Sequence, residues 1–150
     1  MHEDLKYAKN GCIIIRLSIT ILSFSFYAFA LCLPAIHGHG SSLYGLFLLL
    51  LGWVKAMTLE CEAWLANPIF VMSLIFFLAA EYKISALSAI VAALVGLDTF
   101  RLERFEIDEA GNWVPFERAD SAFYAWELSF VILAAGALYL WKRTQQPASP

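Results

Sequence analysis

Charge is scarce in this sequence: only 15% of its 150 residues are Asp, Glu, Lys or Arg. The net charge is −3 and no basic patch is present, which excludes the electrostatic footprint of a nucleic-acid-binding protein. Cysteine is equally sparse. Cys12, Cys32 and Cys61 are isolated, with no Cys-x-x-Cys pair, so neither a zinc ribbon nor a redox dithiol is signalled. They read as small apolar side chains. The usual catalytic signatures are missing too. There is no Gly-x-Ser-x-Gly elbow, P-loop, His-Glu-x-x-His or glycine-rich dinucleotide loop, and nothing supports an enzyme or implies a cofactor. Repeats and low-complexity stretches are absent, which leaves a single domain.

What is abundant is apolar surface. Hydrophobic residues make up 61% of the chain, against roughly 45–50% in soluble domains. They are gathered in runs at 13–36, 43–57, 64–80, 84–97 and 122–141 that are almost free of charge. A bilayer core of roughly 30 Å needs about 20 apolar helical residues. A buried soluble core explains one or two such runs in a chain this short, not five, so the runs point to an all-α membrane protein. Lys6 and Lys9 precede the first run, and Ala28-Phe29-Ala30 fits a small-x-small cleavage pattern. The run nevertheless continues to Ile36, long enough to span, and is expected to remain as an uncleaved first helix.

The predicted architecture is a four-helix transmembrane bundle with spans at about 13–36, 64–82, 84–100 and 122–141. Arg16 snorkels from inside the first span. Pro34 and the string His37-Gly38-His39-Gly40-Ser41-Ser42 end it in a flexible loop. Asn67-Pro68 predicts a helix start, with Asn as N-cap. Trp64 and Tyr82 suit the two aromatic belts. The segment 43–57 is ambiguous, because fifteen helical residues reach only about 22 Å; it is predicted as a short re-entrant or interfacial helix. Residues 98–120 form a polar loop in which seven acids against three arginines leave −4. Its part from about 103 to 118 suits a small outer loop or a β-hairpin, because Phe105-Glu106-Ile107-Asp108 alternates and Glu109-Ala110-Gly111-Asn112 supplies turn residues.

Orientation follows from Lys and Arg near the helix ends. Lys6, Lys9 and Arg16 place the N-terminus in the cytoplasm, and Lys142 and Arg143 place the C-terminus there. Both ends inside require an even number of spans, with Lys83 inside and 98–120 outside. Arg101, Arg104 and Arg118 weigh mildly against an outer loop; the alternative is five full spans with one end outside.

Few residues carry chemistry. Glu127 stands one turn inside the final helix, where ionisable groups within a span tend to face the bundle or water. Asp98 is its expected neighbour, and Arg101 is placed to pair with either. Glu60 and Glu62 flank Cys61 beside a membrane segment, but i and i+2 do not share a helix face, so a solvated pair is expected. Trp113 in the acidic loop is a candidate partner anchor. His37 and His39 lack further ligands nearby and read as loop, not metal site. Ser88, Ala92 and Gly96 form a small-residue stripe that serves either packing within the chain or a homo-oligomer seam.

The strings Leu33-Pro34, Leu50-Leu51-Gly52-Trp53 and Ala63-Trp64-Leu65-Ala66-Asn67-Pro68, with Asp108-Glu109-Ala110-Gly111-Asn112 and Tyr124-Ala125-Trp126, resemble a family of small bacterial inner-membrane proteins. The resemblance covers about residues 31–143. It implies an architecture, with the Asn112 loop outside, and no activity. Lys55, Glu60 and Glu62 depart from its more apolar pattern. Two function classes follow. The first is a multi-pass inner-membrane protein that binds a protein partner in the membrane or at its outer face, as complex subunits and toxin-immunity proteins do. The second is an oligomeric component of an ion or metabolite transporter or channel.

Overall fold

The computed structural model describes residues 2–57, 61–106 and 112–145. The protein is mostly helical, with a small amount of sheet. In chain order the elements are α1 (His2–Leu31), β1 (Pro34–Gly38), β2 (Ser41–Tyr44), α2 (Gly45–Leu51), α3 (Trp53–Met57), α4 (Ala66–Leu78), α5 (Tyr82–Gly96), β3 (Arg104–Glu106), β4 (Trp113–Pro115), β5 (Arg118–Ala119) and α6 (Ser121–Gln145). Short 3-10 helices, Ala63–Leu65 and Leu97–Arg101, lead into α4 and continue α5.

Three helices are long and apolar enough to cross a membrane: Gly11–Leu31, Tyr82–Arg101 and Ser121–Gln145. They match three of the four predicted spans. The remaining one is shorter than expected, Ala63–Leu78. It stops before Tyr82 because the chain turns at Ala79–Glu81. Ala80 sits at φ 65, its N–H donates to Phe77 O, and the Glu81 N–H reaches back to Phe76 O. This is a Schellman stop with alanine in the left-handed position usually held by glycine.

Residues 34–44 also differ from expectation. The first helix ends at Leu31, not Ile36, since proline at 34 disfavours helix in the residue before it. The stretch expected as a flexible loop is a β-hairpin, with Ile36 opposite Leu43 and Gly38 opposite Ser41. Its two-residue turn has His39 at φ 46 and Gly40 at φ 80, the pair of positive angles a type I′ connection requires. Strand β5 completes a sheet of order β2-β1-β5. The expected hairpin at 103–118 has paired strands, with Phe105 opposite Val114; its turn lies outside the described residues. The ambiguous segment 43–57 is no continuous helix. Strand β2 runs to Tyr44, and α2 and α3 follow, separated at Gly52.

Neighbouring long helices run antiparallel. Ser23 Oγ donates to Ser129 O at 2.8 Å and Ser73 Oγ to Ser85 O at 2.7 Å, so α1 opposes α6 and α4 opposes α5. α6 lies between α1 and α5. Tyr27 stacks on Phe70 at 5.2 Å between ring centroids, and Phe70 meets Phe130 at 4.9 Å, which closes the bundle between α1, α4 and α6. Phe70, Phe77, Phe130, Leu133 and Leu140 fill the core, and Ala86, Ala89, Ala92 and Ala137 let the backbones approach. The two ends are unlike. One carries both ends of the described chain and the Ala79–Glu81 turn. Among the described residues, the other carries every strand, α2, α3 and both 3-10 helices.

Candidate functional site

The strand-bearing end encloses a cavity of about 120 Å³. Its walls come from the end of α1 (Ala30), β1 (Ala35, Ile36), α2 (Leu48), the 3-10 helix before α4 (Trp64) and the start of α6 (Phe123). They are overwhelmingly apolar.

At its floor is Asn67. Its Oδ1 accepts from the Tyr27 hydroxyl at 2.8 Å and from Trp126 Nε1 at 3.0 Å. Its Nδ2 donates to Trp64 O at 3.0 Å. One amide thereby ties α1, α4 and α6 together at one level. Asn67 is not the N-cap its Asn-Pro context predicts: α4 begins at Ala66, with Leu65 at the cap position and no side-chain cap bond. Trp64 makes the next link, its Nε1 donating to Leu49 O at 2.8 Å. That carbonyl belongs to the last turn of α2, where carbonyls have no partner within the helix.

Glu127 points toward α5. Its Oε1 is buried without a hydrogen-bond partner and lies where a Cβ at residue 96 would be, so any side chain there has to displace the carboxylate. The expected pairing with Arg101 is not formed. Arg101 Nη1 instead donates to Asp98 Oδ1 at 2.9 Å, a partner three residues away that needs no rearrangement to reach. The other Asp98 oxygen accepts the Glu62 backbone N–H at 2.6 Å, and Asp98 O takes the Cys61 thiol at 3.6 Å. Asp98 therefore clasps residues 61–62 to the end of α5. Burial pushes the Cys61 thiol up, which makes it a poor nucleophile.

Trp113 is 41% exposed on β4, with the Arg104 guanidinium 4.9 Å above its ring. Glu60 lies outside the described residues. Ala92 and Gly96 are buried within the bundle, and half-buried Ser88 bonds Ile84 O at 2.9 Å. His37 Nδ1 contacts Ser42 Oγ at 2.8 Å, and His39 N donates to Glu117 Oε1 at 3.0 Å. Both serve the hairpin, and among the described residues no group of three or more His, Cys, Asp or Glu is placed to hold a metal.

The structure thus pairs Asp98 with Arg101 from the sequence-predicted set, sets Glu127 against Gly96, two residues before Asp98, and sets Trp113 beneath Arg104. It adds Asn67, Trp64, Trp126 and Tyr27. Comparison with protein-family models, with curated proteins and with solved structures finds no match.

Proposed function

We propose that this chain is a multi-pass protein of the bacterial inner membrane that works by binding a protein partner at its outer end, with both termini in the cytoplasm. The observation that carries the reading is the inequality of the two ends. A three-residue turn suffices to connect α4 to α5. At the opposite end the chain builds two small sheets and two short apolar helices, cross-tied by Phe116 N to Glu103 O, Glu117 N to His37 O and Asp120 N to Ala35 O. Ordered backbone of this kind, beyond what connection requires, is typical of binding surfaces held on a scaffold.

Charge supports the orientation. The end with the termini holds Lys6, Lys9, Arg16, Lys83, Lys142 and Arg143 against Glu3, Asp4 and Glu81. The connecting segments at the other end, 32–65 and 97–120, hold nine acids against Lys55, Arg101, Arg104 and Arg118. Basic residues collect on the cytoplasmic side of membrane proteins. The acidic outer end favours a partner with a basic face. Trp113 under its Arg104 is the aromatic group best placed to anchor it.

Co-purification tests this directly. Trp113→Ala should abolish capture of the partner while membrane abundance stays unchanged. A fall in abundance assigns Trp113 to the fold, and capture that survives the substitution removes it from the interface. A second reading has one observation in its favour, the unpartnered Glu127 oxygen inside the bundle. An ion path through an oligomer would use such a carboxylate. Glu127→Gln, which keeps the size, should then remove ion flux in proteoliposomes and leave partner binding intact.

A further inference from the structure

We propose that the cavity at the strand-bearing end is a hydrocarbon site that takes the end of an acyl chain from a membrane lipid. The proposal rests on the membrane reading above but not on the identity of any protein partner.

The wall is apolar apart from Asn67, Trp64, Cys61 and Thr99, which favours an apolar occupant. Both lone pairs of Asn67 Oδ1 are engaged, by Tyr27 and Trp126, and its amide donates to Trp64 O. The Trp64 indole N–H is held by Leu49 O. A headgroup, sugar or peptide entering here would find these groups already bonded and would lose its own water contacts. Size limits the occupant further. An apolar cavity of about 150 Å³ admits benzene, so about 120 Å³ admits the last few carbons of a chain and no folded segment.

Access points to the bilayer. Trp64 also lines a second, more open cavity of about 320 Å³, shared with Trp53, Ala56, Met57 and Leu65. Trp53, Met57 and Leu65 are exposed, as are Leu46, Phe47 and Leu50 on α2, a helix with no buried residue. A surface this apolar belongs against lipid, and acyl chains are the hydrocarbon present there. The opposite approach, from the polar outer face, is covered by β1, whose Ile36 is only 1% exposed and is paired to β2 and β5. A partner docking on the outer face would have to displace that strand. A chain arriving from the lipid side has to move one side chain, Trp64, the wall common to both cavities, away from its bond to Leu49 O.

Photolabelling in proteoliposomes tests this. The probe is a phosphatidylcholine carrying a diazirine near the end of one acyl chain, and adducts are mapped by mass spectrometry. Adducts on Ala35, Ile36 or Ala122, which are buried, are expected beside those on lipid-facing Phe47 and Leu50. Filling the cavity with Ala122→Phe should eliminate the interior adducts and spare the exterior ones; Ala63→Phe serves the same purpose if the first variant does not accumulate. Adducts confined to exposed side chains of the unaltered protein would overturn the proposal. That failure would leave the Trp113 reading untouched, because Trp113 does not line the cavity.

Discussion

The Glu127 carboxylate on α6 occupies the space that the missing side chain of Gly96 leaves on α5. Two residues 31 positions apart in the sequence thus share one volume, and each constrains what the other can be. Gly96→Ala should push the carboxylate out of this space and set a methyl group 3.0 Å from the Trp126 ring, destabilising the protein by about 1 kcal/mol, the low end of overpacking. Glu127→Ala alone removes the obstacle. The double variant should therefore be less destabilised than the sum of the singles, with a coupling on the order of 1 kcal/mol. Unfolding followed by circular dichroism in detergent measures the cycle. Additive effects would mean that the carboxylate leaves this space when the bundle is solvated.

A second expectation concerns the Asn67 amide. Asn67→Ala leaves the Tyr27 hydroxyl and the Trp126 indole N–H without their shared acceptor. Each unsatisfied buried group costs about 1–3 kcal/mol. Trp126→Phe instead deletes one donor and keeps a ring against Phe130, 4.8 Å away. Its cost should be about 1 kcal/mol, one hydrogen bond. Thermal melts in a single detergent should therefore rank Asn67→Ala well below Trp126→Phe. The reverse order would remove Asn67 from its central role.

What was legible follows from what each feature depends on. Helices α1, α5 and α6 are written in long apolar runs, a local property. The hairpin β1-β2 was hidden because Pro34-Ala35-Ile36 continues such a run, and because His39-Gly40 is not the Asn-Gly pair that marks a type I′ turn. The early end of α4 depends on an alanine in a left-handed position, which no propensity favours. Asn67 shows the deeper limit. Beside Pro68 its local context reads as a cap, whereas its partners Tyr27 and Trp126 lie 40 and 59 residues away. Small-residue spacing marked Gly96 as a packing position, but nothing in it named Glu127 as the group packed there. The Asp98–Arg101 pair, by contrast, is three residues apart and readable in helix geometry.

The Asp98 clasp has its own consequence. Its side chain is 15% exposed and accepts the Glu62 N–H, so Asp98→Ala removes a charge-assisted bond worth about 2 kcal/mol where residues 61–62 meet the end of α5. The loss should be local. Cys61 should then react with N-ethylmaleimide faster than in the parent protein, since both its burial and its bond to the 98 carbonyl depend on that contact. The comparison is made in a Cys12→Ser, Cys32→Ser background. An unchanged rate would show that the segment is held without Asp98.

The topology stands or falls on α4. Thirteen residues at about 1.5 Å each give about 20 Å, and the three-residue 3-10 turn before it adds about 6 Å at 2 Å per residue. The total falls a few ångströms short of a hydrocarbon core of roughly 30 Å. Mismatch of that size is absorbed by local thinning of the bilayer at a modest cost, whereas leaving α4 uninserted would separate Phe70 from Tyr27 and Phe130 in the core. The short helix should therefore cross. A reporter active only in the cytoplasm should work when fused after Pro150 or after Lys83, and should fail after Gly111. If α4 does not span, the two later crossings, α5 and α6, leave Lys83 and Pro150 together outside and Gly111 inside, so an active fusion at Gly111 with silent ones at Lys83 and Pro150 would overturn the four-span topology. The same pattern with the N-terminus outside would instead invert the whole bundle and reverse the assignment made from charge.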